Sequence, residues 1–230
     1  MKIKGLQKTS LIDYPDKMSC VVFLGGCNFR CGFCQNSDLV LEPEKQPTIP
    51  ESEFFEFLDQ RKGWLDGVTV TGGEPCLHKE LSQLLAGIKE RGYMVKLDTN
   101  GYNPVALMQI IDQKLVDYIA MDIKTDRESY PKAAGIDIDI SKIEKSIELI
   151  RNSGILYEFR STLVPPLFNK GIILNIGKWL EGSNKYVLQQ FRAEKTLDPK
   201  FKDVKPLPKE KIEEFAELLK PFFKKVEVRI

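Results

Sequence analysis

Short apolar runs separated by amphipathic stretches recur along almost the whole chain. The run Cys20-Val-Val-Phe-Leu24 ends on Gly25-Gly26 and predicts a buried strand. Phe54, Phe55 and Leu58 stand at helical spacing within 52–62, behind Glu51 and Glu53, which suit the first turn of a helix. The pattern then predicts a strand over 68–71, an amphipathic helix over 80–91 stopped by Gly92, and a strand over 93–97. Pro104 opens a further helix at a favoured first-turn position, and 118–123 is the next strand. Beyond it come a helix over 143–151 capped by Gly154, a strand over 156–163, a helix over 172–180 and a strand over 185–188. A last helix over 209–223 and a terminal strand over 226–230 complete the series. Strands alternating with helices imply right-handed crossovers and a parallel sheet. About six such units predict an α/β fold of the partial (β/α)6 barrel type rather than a closed eight-stranded barrel. The chain reads as one domain over 1–230, with an N-terminal segment 1–19, a barrel core 20–192 and a C-terminal helix and strand over 193–230.

Composition narrows the class without changing the fold. With 42% hydrophobic and 29% charged residues the chain is an ordinary globular protein, and a net charge of +1 argues against a broad nucleic-acid surface. The C-terminal lysines Lys205, Lys209, Lys211, Lys220, Lys224 and Lys225 are interleaved with acids and read as a solvated face. The opening MKIKGLQKTS carries no apolar leader and no stretch approaches membrane-spanning length, so no membrane is expected and the cytoplasm is the expected location.

Three of the five cysteines change the picture. Cys27, Cys31 and Cys34 fall within the eight residues Cys27-Asn-Phe-Arg-Cys-Gly-Phe-Cys34. A structural zinc site wants four ligands, usually in two separated pairs, and the only histidine is His78. A disulfide framework suits short secreted chains rather than one of 230 residues with an odd number of thiols. Three thiolates on one loop hold three irons of a [4Fe-4S] cluster and leave the fourth open to a ligand that is not protein. Cys20, inside its apolar run, reads as a core residue, and Cys76 stands alone.

In parallel α/β folds chemistry gathers at the carboxyl ends of the strands. The strand ends here carry Cys27 to Cys34, Gly72-Gly73-Glu74-Pro75, Asp98-Thr99-Asn100-Gly101, Asp122-Ile123-Lys124, Arg160 with Thr162, and Gln189-Gln190-Phe191-Arg192. One such motif alone is an ordinary turn, whereas all of them on one rim mark a site.

The cysteine spacing after an apolar strand, the aromatic Phe33 before the last cysteine and the Gly-Gly-Glu-Pro strand end resemble the radical S-adenosylmethionine enzymes over essentially the whole chain. Gly5-Leu-Gln-Lys-Thr-Ser-Leu-Ile-Asp-Tyr-Pro15, Leu97-Asp-Thr-Asn-Gly101 and Ala120-Met-Asp-Ile-Lys124 resemble, more narrowly, the activating proteins of anaerobic ribonucleoside-triphosphate reductase, with pyruvate formate-lyase activating enzymes next. The chain departs from that family's frequent tyrosine and histidine around the third cysteine, carrying Phe33 and Gln35. The resemblance implies an oxidoreductase with a [4Fe-4S] cluster on Cys27, Cys31 and Cys34, chelating S-adenosylmethionine at the open iron. It implies cofactor contacts from Phe33, Gly72, Gly73, Glu74, Asp98, Asn100, Lys124, Arg160 and Arg192, and a Na⁺ or K⁺ at Asp98, Thr99 and Asp122. A low-potential donor such as flavodoxin or ferredoxin would supply the electron. Cleavage of S-adenosylmethionine would give a 5′-deoxyadenosyl radical, which takes a hydrogen from a glycine of a partner, anaerobic ribonucleotide reductase. The cysteine loop and residues 5–15 would form a mobile cover. The alternatives are a small-molecule enzyme like 7-carboxy-7-deazaguanine synthase, and an activator of a different glycyl-radical lyase.

Overall fold

The computed structural model describes residues 2–230. In chain order the elements are β1 (Ile3–Ser10), β2 (Ser19–Leu24), α1 (Ser37–Leu41), α2 (Glu51–Gln60), β3 (Gly67–Gly72), α3 (Leu81–Glu90), β4 (Met94–Thr99) and α4 (Pro104–Asp112). They continue with β5 (Tyr118–Asp122), α5 (Tyr130–Ala134), α6 (Ile140–Asn152), β6 (Leu156–Leu163), α7 (Lys170–Trp179), β7 (Lys185–Gln190), α8 (Lys209–Leu219) and β8 (Lys225–Arg229). The sheet order is that of the chain, β1 to β8, and among the described residues no ladder returns from β8 to β1. β1 is antiparallel to β2, whereas β2 to β4 and β6 to β8 are parallel. Parallel neighbours need a crossover, and a helix lies between each successive pair from β2 onward. The result is the open α/β sheet that the alternation of strands and helices predicts.

By contacts the chain divides into two compact units. The first holds the chain up to Asn28 together with Asp38–Ala120 and Lys142–Leu156; the second holds Phe29–Ser37, Met121–Ser141 and Tyr157–Ile230. In the first, Val22, Val70 and Leu97 are fully buried, and α3 sets Leu84, Leu85 and Ile88 into the same apolar interior. Nearly every residue of β2, β3 and β4 is buried, which requires cover on both faces of these strands. Cys20 is among them, fully buried as its apolar run predicts. In the second unit Phe159 and Leu188 are buried, as are Ile173 and Ile176 of α7 and Ile212 and Phe215 of α8. Tyr186 is buried there too, its hydroxyl 2.5 Å from Ser161 Oγ and its ring stacked on Phe223 at 4.8 Å.

The structure corrects three local readings. Residues 3–10 form β1, although Ile3 and Leu6 are their only large apolar side chains. Lys4 is buried there because its ammonium finds the Thr48 hydroxyl at 2.7 Å and the Gln46 carbonyl at 3.0 Å. Residues 5–10 are therefore bonded to β2 and are not part of a mobile cover. The last helix stops at Leu219, since Pro221 has no N–H to continue the ladder. The short helices α1 and α5 have too few turns to show a periodicity, and the pattern did not reveal them.

One buried ion pair on β6 governs how the second unit meets acid. Glu158 is fully buried, both its oxygens accept from Arg229 at 2.7 Å, and Lys185 lies 3.1 Å away. Burial would raise its carboxyl, but the Arg229 hydrogen bonds and charge, with Arg160 and Lys185, hold it down to about 2. A carboxyl lowered on folding contributes stability above its unfolded value, about 4.3, and loses it as pH falls toward the folded one. Urea denaturation of Glu158→Gln should show a flatter acid limb, lacking about 2 kcal/mol of the wild-type loss between pH 4.5 and 2.

Candidate functional site

In the first unit the site is built on a close approach of backbone to backbone. β3 ends on Gly72, at φ +122, where a Cβ would lie 2.3 Å from the Leu24 nitrogen. At Gly73 a Cβ would lie 1.9 Å from the Gly26 carbonyl oxygen. Gly73 N–H donates to the Leu24 carbonyl and Glu74 N–H to the Gly26 carbonyl, each at 2.8 Å. No side chain fits there, so the two glycines seat the turn against the chain that leads into Cys27.

Glu74 then closes that turn onto the next strand end. Its buried carboxylate accepts from Cys76 N–H at 3.0 Å, the Thr99 hydroxyl at 2.7 Å and Asn100 N–H at 2.6 Å. Burial raises its pKa while these donors pull it back. Asn100 carries the network on: its side-chain N–H₂ donates to Asn28 Oδ1 at 2.8 Å and lies 3.9 Å from Cys27 Sγ. The strand-end motifs after β3 and β4 thus meet at the first cysteine. Spacing alone did not reveal that Thr99 serves Glu74, nor that Asn28 receives Asn100; an Asn directly after the first cysteine was the only available signal. His78 sits with Nε2 3.0 Å from the Gly25 carbonyl, and burial lowers its pKa.

The second unit carries the cationic group. Asp122, at the end of β5, accepts from Arg160 Nε at 2.6 Å and from Lys124 Nζ at 2.9 Å. Burial works against both charges of the Asp122–Lys124 pair. The Arg160 and Lys124 charges nevertheless hold Asp122 well below the carboxylate range, and Asp122 holds Lys124 well above the ordinary lysine value. Cys31 is buried and its thiol is pushed up to about 11 by that burial, against the pull of the nearby Lys124 ammonium; Cys34 is raised for the same first reason. Phe33 is buried edge-on against Phe201. The Arg192 side chain is exposed, and its carbonyl accepts from Gln35 at 3.0 Å.

Asp98 pairs with the Lys96 ammonium, Asp122 with two cations, and the Thr99 hydroxyl is spent on Glu74. Among the described residues no three His, Cys, Asp or Glu side chains are drawn together into a metal cage, so the cysteines are judged by the chemistry of the donor set. None of Cys27, Cys31 and Cys34 is in a disulfide, and Cys27 and Cys34 are partly open to solvent. Asn100 stands at one sulfur, and the Lys124 charge favours the thiolate at the other two. Iron-sulfur clusters are held by cysteine sulfurs that lose their protons to the iron, and three cysteines on one loop fit one.

Glu74→Gln should cost about 2 kcal/mol, because an amide N–H₂ would then face one of the donors that the carboxylate now receives. Thermal unfolding should read this as a drop of roughly 4–8 °C, with the far-UV spectrum unchanged.

Among the described residues no helix is long and apolar enough to cross a membrane. Residues 21–170 match the Radical SAM superfamily. The chain is 34% identical, over 99% of its length and 95% of the relative's, to a "Putative glycyl-radical enzyme activating enzyme" of Methanocaldococcus jannaschii. It is 32% identical to the 7-carboxy-7-deazaguanine synthase of Neisseria meningitidis over 45% of this chain and 42% of that one. Among solved structures, Streptococcus suis SuiB bound to the precursor peptide SuiA superposes with a TM-score of 0.71 at 13% identity. That match covers 91% of this chain and 48% of SuiB, so the chain spans about half the length of that protein. The superposition shows the fold alone: a partial barrel with an unclosed parallel sheet. From the family match and the full-length likeness together, the chain belongs to the radical SAM superfamily, whose cofactors are a [4Fe-4S] cluster and S-adenosylmethionine.

Proposed function

We propose that this chain activates a glycyl-radical enzyme, with anaerobic ribonucleotide reductase as the partner. The observation that carries this reading is the extent of the likeness to a protein named as an activator of that kind: it runs over 99% of this chain and 95% of the relative. The likeness to a small-molecule enzyme stops at less than half of either chain. The resemblance of Leu97 to Gly101 and of Ala120 to Lys124 to the reductase activators supports the finer choice of partner.

In this reading Cys27, Cys31 and Cys34 would hold a [4Fe-4S] cluster through three thiolates, and that group with S-adenosylmethionine would supply one-electron reductive cleavage of the sulfonium. The protein's own share is placement and charge. The Asn100 amide, whose backbone N–H is fixed by the Glu74 carboxylate, steadies the Cys27 sulfur. Lys124 and Arg160, held by Asp122, offer N–H donors to carboxylate or ribose oxygens, where charge-assisted bonds are strong. Gly72 and Gly73 keep the neighbouring backbone free of side chains. Flavodoxin or ferredoxin would deliver the electron, and the cytoplasm would be the place.

Anaerobically reconstituted protein, reduced with dithionite and given S-adenosylmethionine, should release 5′-deoxyadenosine, and Cys31→Ala should reduce this at least a hundredfold. Addition of the partner reductase should give the EPR doublet of a glycyl radical. Release of 5′-deoxyadenosine by the Cys31→Ala variant would sink the cluster assignment. Turnover of a small heterocyclic acid, with no radical on any glycyl-radical protein, would sink the activating role.

A further inference from the structure

Between β7 and α8 the chain leaves the sheet for a long excursion whose ends are tied by Gln190 Nε2 donating to the Leu207 carbonyl at 2.9 Å. Its first half lies against the cysteine loop within the second unit. Asp198 N–H donates to the Gly32 carbonyl at 2.8 Å, and the Gln35 side chain donates to the Arg192 carbonyl at 3.0 Å. The Phe201 ring meets Phe33 edge-on at 6.1 Å. A Cβ on Gly32 would lie 2.5 Å from that ring and 3.2 Å from the Asp198 Cβ.

The segment is itself braced for this contact. The Asp198 carboxylate accepts from Lys200 N–H at 2.9 Å, the Asp198 carbonyl accepts from Phe201 N–H at 3.0 Å, and the turn Pro199–Phe201 is set with Phe201 facing the loop. No strand pairing requires any of these bonds. Three of the four residues from Gly32 to Gln35 are engaged, and Gln35 is a position at which this chain departs from the pattern it otherwise resembles. On the other side, Arg30 N–H donates to the Ala134 carbonyl at 2.8 Å, so the loop is gripped from two directions. Ordering a loop costs backbone entropy that a ligand must otherwise supply on binding.

We propose that residues 192–201 are a clasp that holds the Cys31–Cys34 turn in its iron-binding form, with Asp198, Phe201 and Gln35 as positioning residues. Gly32 is glycine because the clasp leaves no room for a side chain. The inference rests on the cluster reading given under Proposed function, and its test separates the two. Wild type, Phe201→Ala, Gly32→Ala, the double variant and the exposed-site variant Gln35→Ala would be reconstituted anaerobically. Iron release to a chelator would be followed by absorbance, the EPR signal of the reduced cluster recorded, and thermal unfolding of the metal-free forms measured as a control.

Both Phe201→Ala and Gly32→Ala should release iron about tenfold faster, the size usual for loss of an outer-shell support. Gln35→Ala should change the reduced-cluster signal and speed release less. The double variant should be no worse than either single one, since the space left by the ring admits the new Cβ. Wild-type release rates in Phe201→Ala and Gln35→Ala would overturn the clasp, as would multiplying effects in the double variant. Faster release matched by an equal loss of metal-free stability would overturn it too, as general destabilisation. A wild-type protein that takes up no cluster would instead overturn the cluster reading.

Discussion

A buried carboxylate with no cation beside it is expensive, and Glu74 is tolerable only because donors from two separate strand ends converge on it. This requirement fixes much else in the first unit. The turn after β3 must bring Cys76 N–H to the carboxylate, and β4 must end so that Thr99 and Asn100 meet it from the other side. Asn100, once its backbone is held, can aim its side chain at Asn28 and Cys27. The glycine pair belongs to the same construction, because only bare backbone can lie this close to Leu24 and Gly26. A polar network that is fully satisfied is rigid, and rigidity is what a cluster-bearing loop needs from its support.

The second unit solves a related problem with charge. Asp122 lies between Lys124 and Arg160, and Glu158 lies between Arg229 and Lys185, so both of these anions are matched by cations at close range. Removing one member of such a group leaves a charge with nothing to answer it, which is far more costly than never having had the pair. The Lys124 ammonium has a further effect, since it favours the thiolate forms of Cys31 and Cys34 that burial opposes.

The parts of this arrangement that repeat along the chain were legible in the sequence. Buried parallel strands announce themselves as continuous apolar runs, and β2 and β5 lie where such runs are. The cysteine loop, the glycine pair and the polar strand ends were also readable, because each concentrates unusual residues within a few positions. What depended on distant partners was not. Lys4 in β1 looks like a surface residue until Thr48 and Gln46 are beside it. That the Thr99 hydroxyl serves Glu74 and that Asp98 pairs with Lys96 is visible only once those partners are beside them. Gly32 carries no message of its own and Gln35 only a departure from the resembled pattern, and their contacts appear only when a segment more than 150 residues later is folded against them.

An unclosed sheet has two free margins, and unpaired backbone at a margin is an invitation to add a strand from another molecule. Here β1 presents Gln7 and Lys8 along one margin, which also turns antiparallel and bridges Ile3 to Ile49. At the other margin β8 reads Lys-Val-Glu-Val-Arg, with Glu227 and Arg229 bound to one another. Any strand docking there would have to strip water from charged side chains and disturb an existing ion pair. The openness of the barrel therefore does not make its edges sticky, and resistance to edge-to-edge fibre growth is built into the first and last strands.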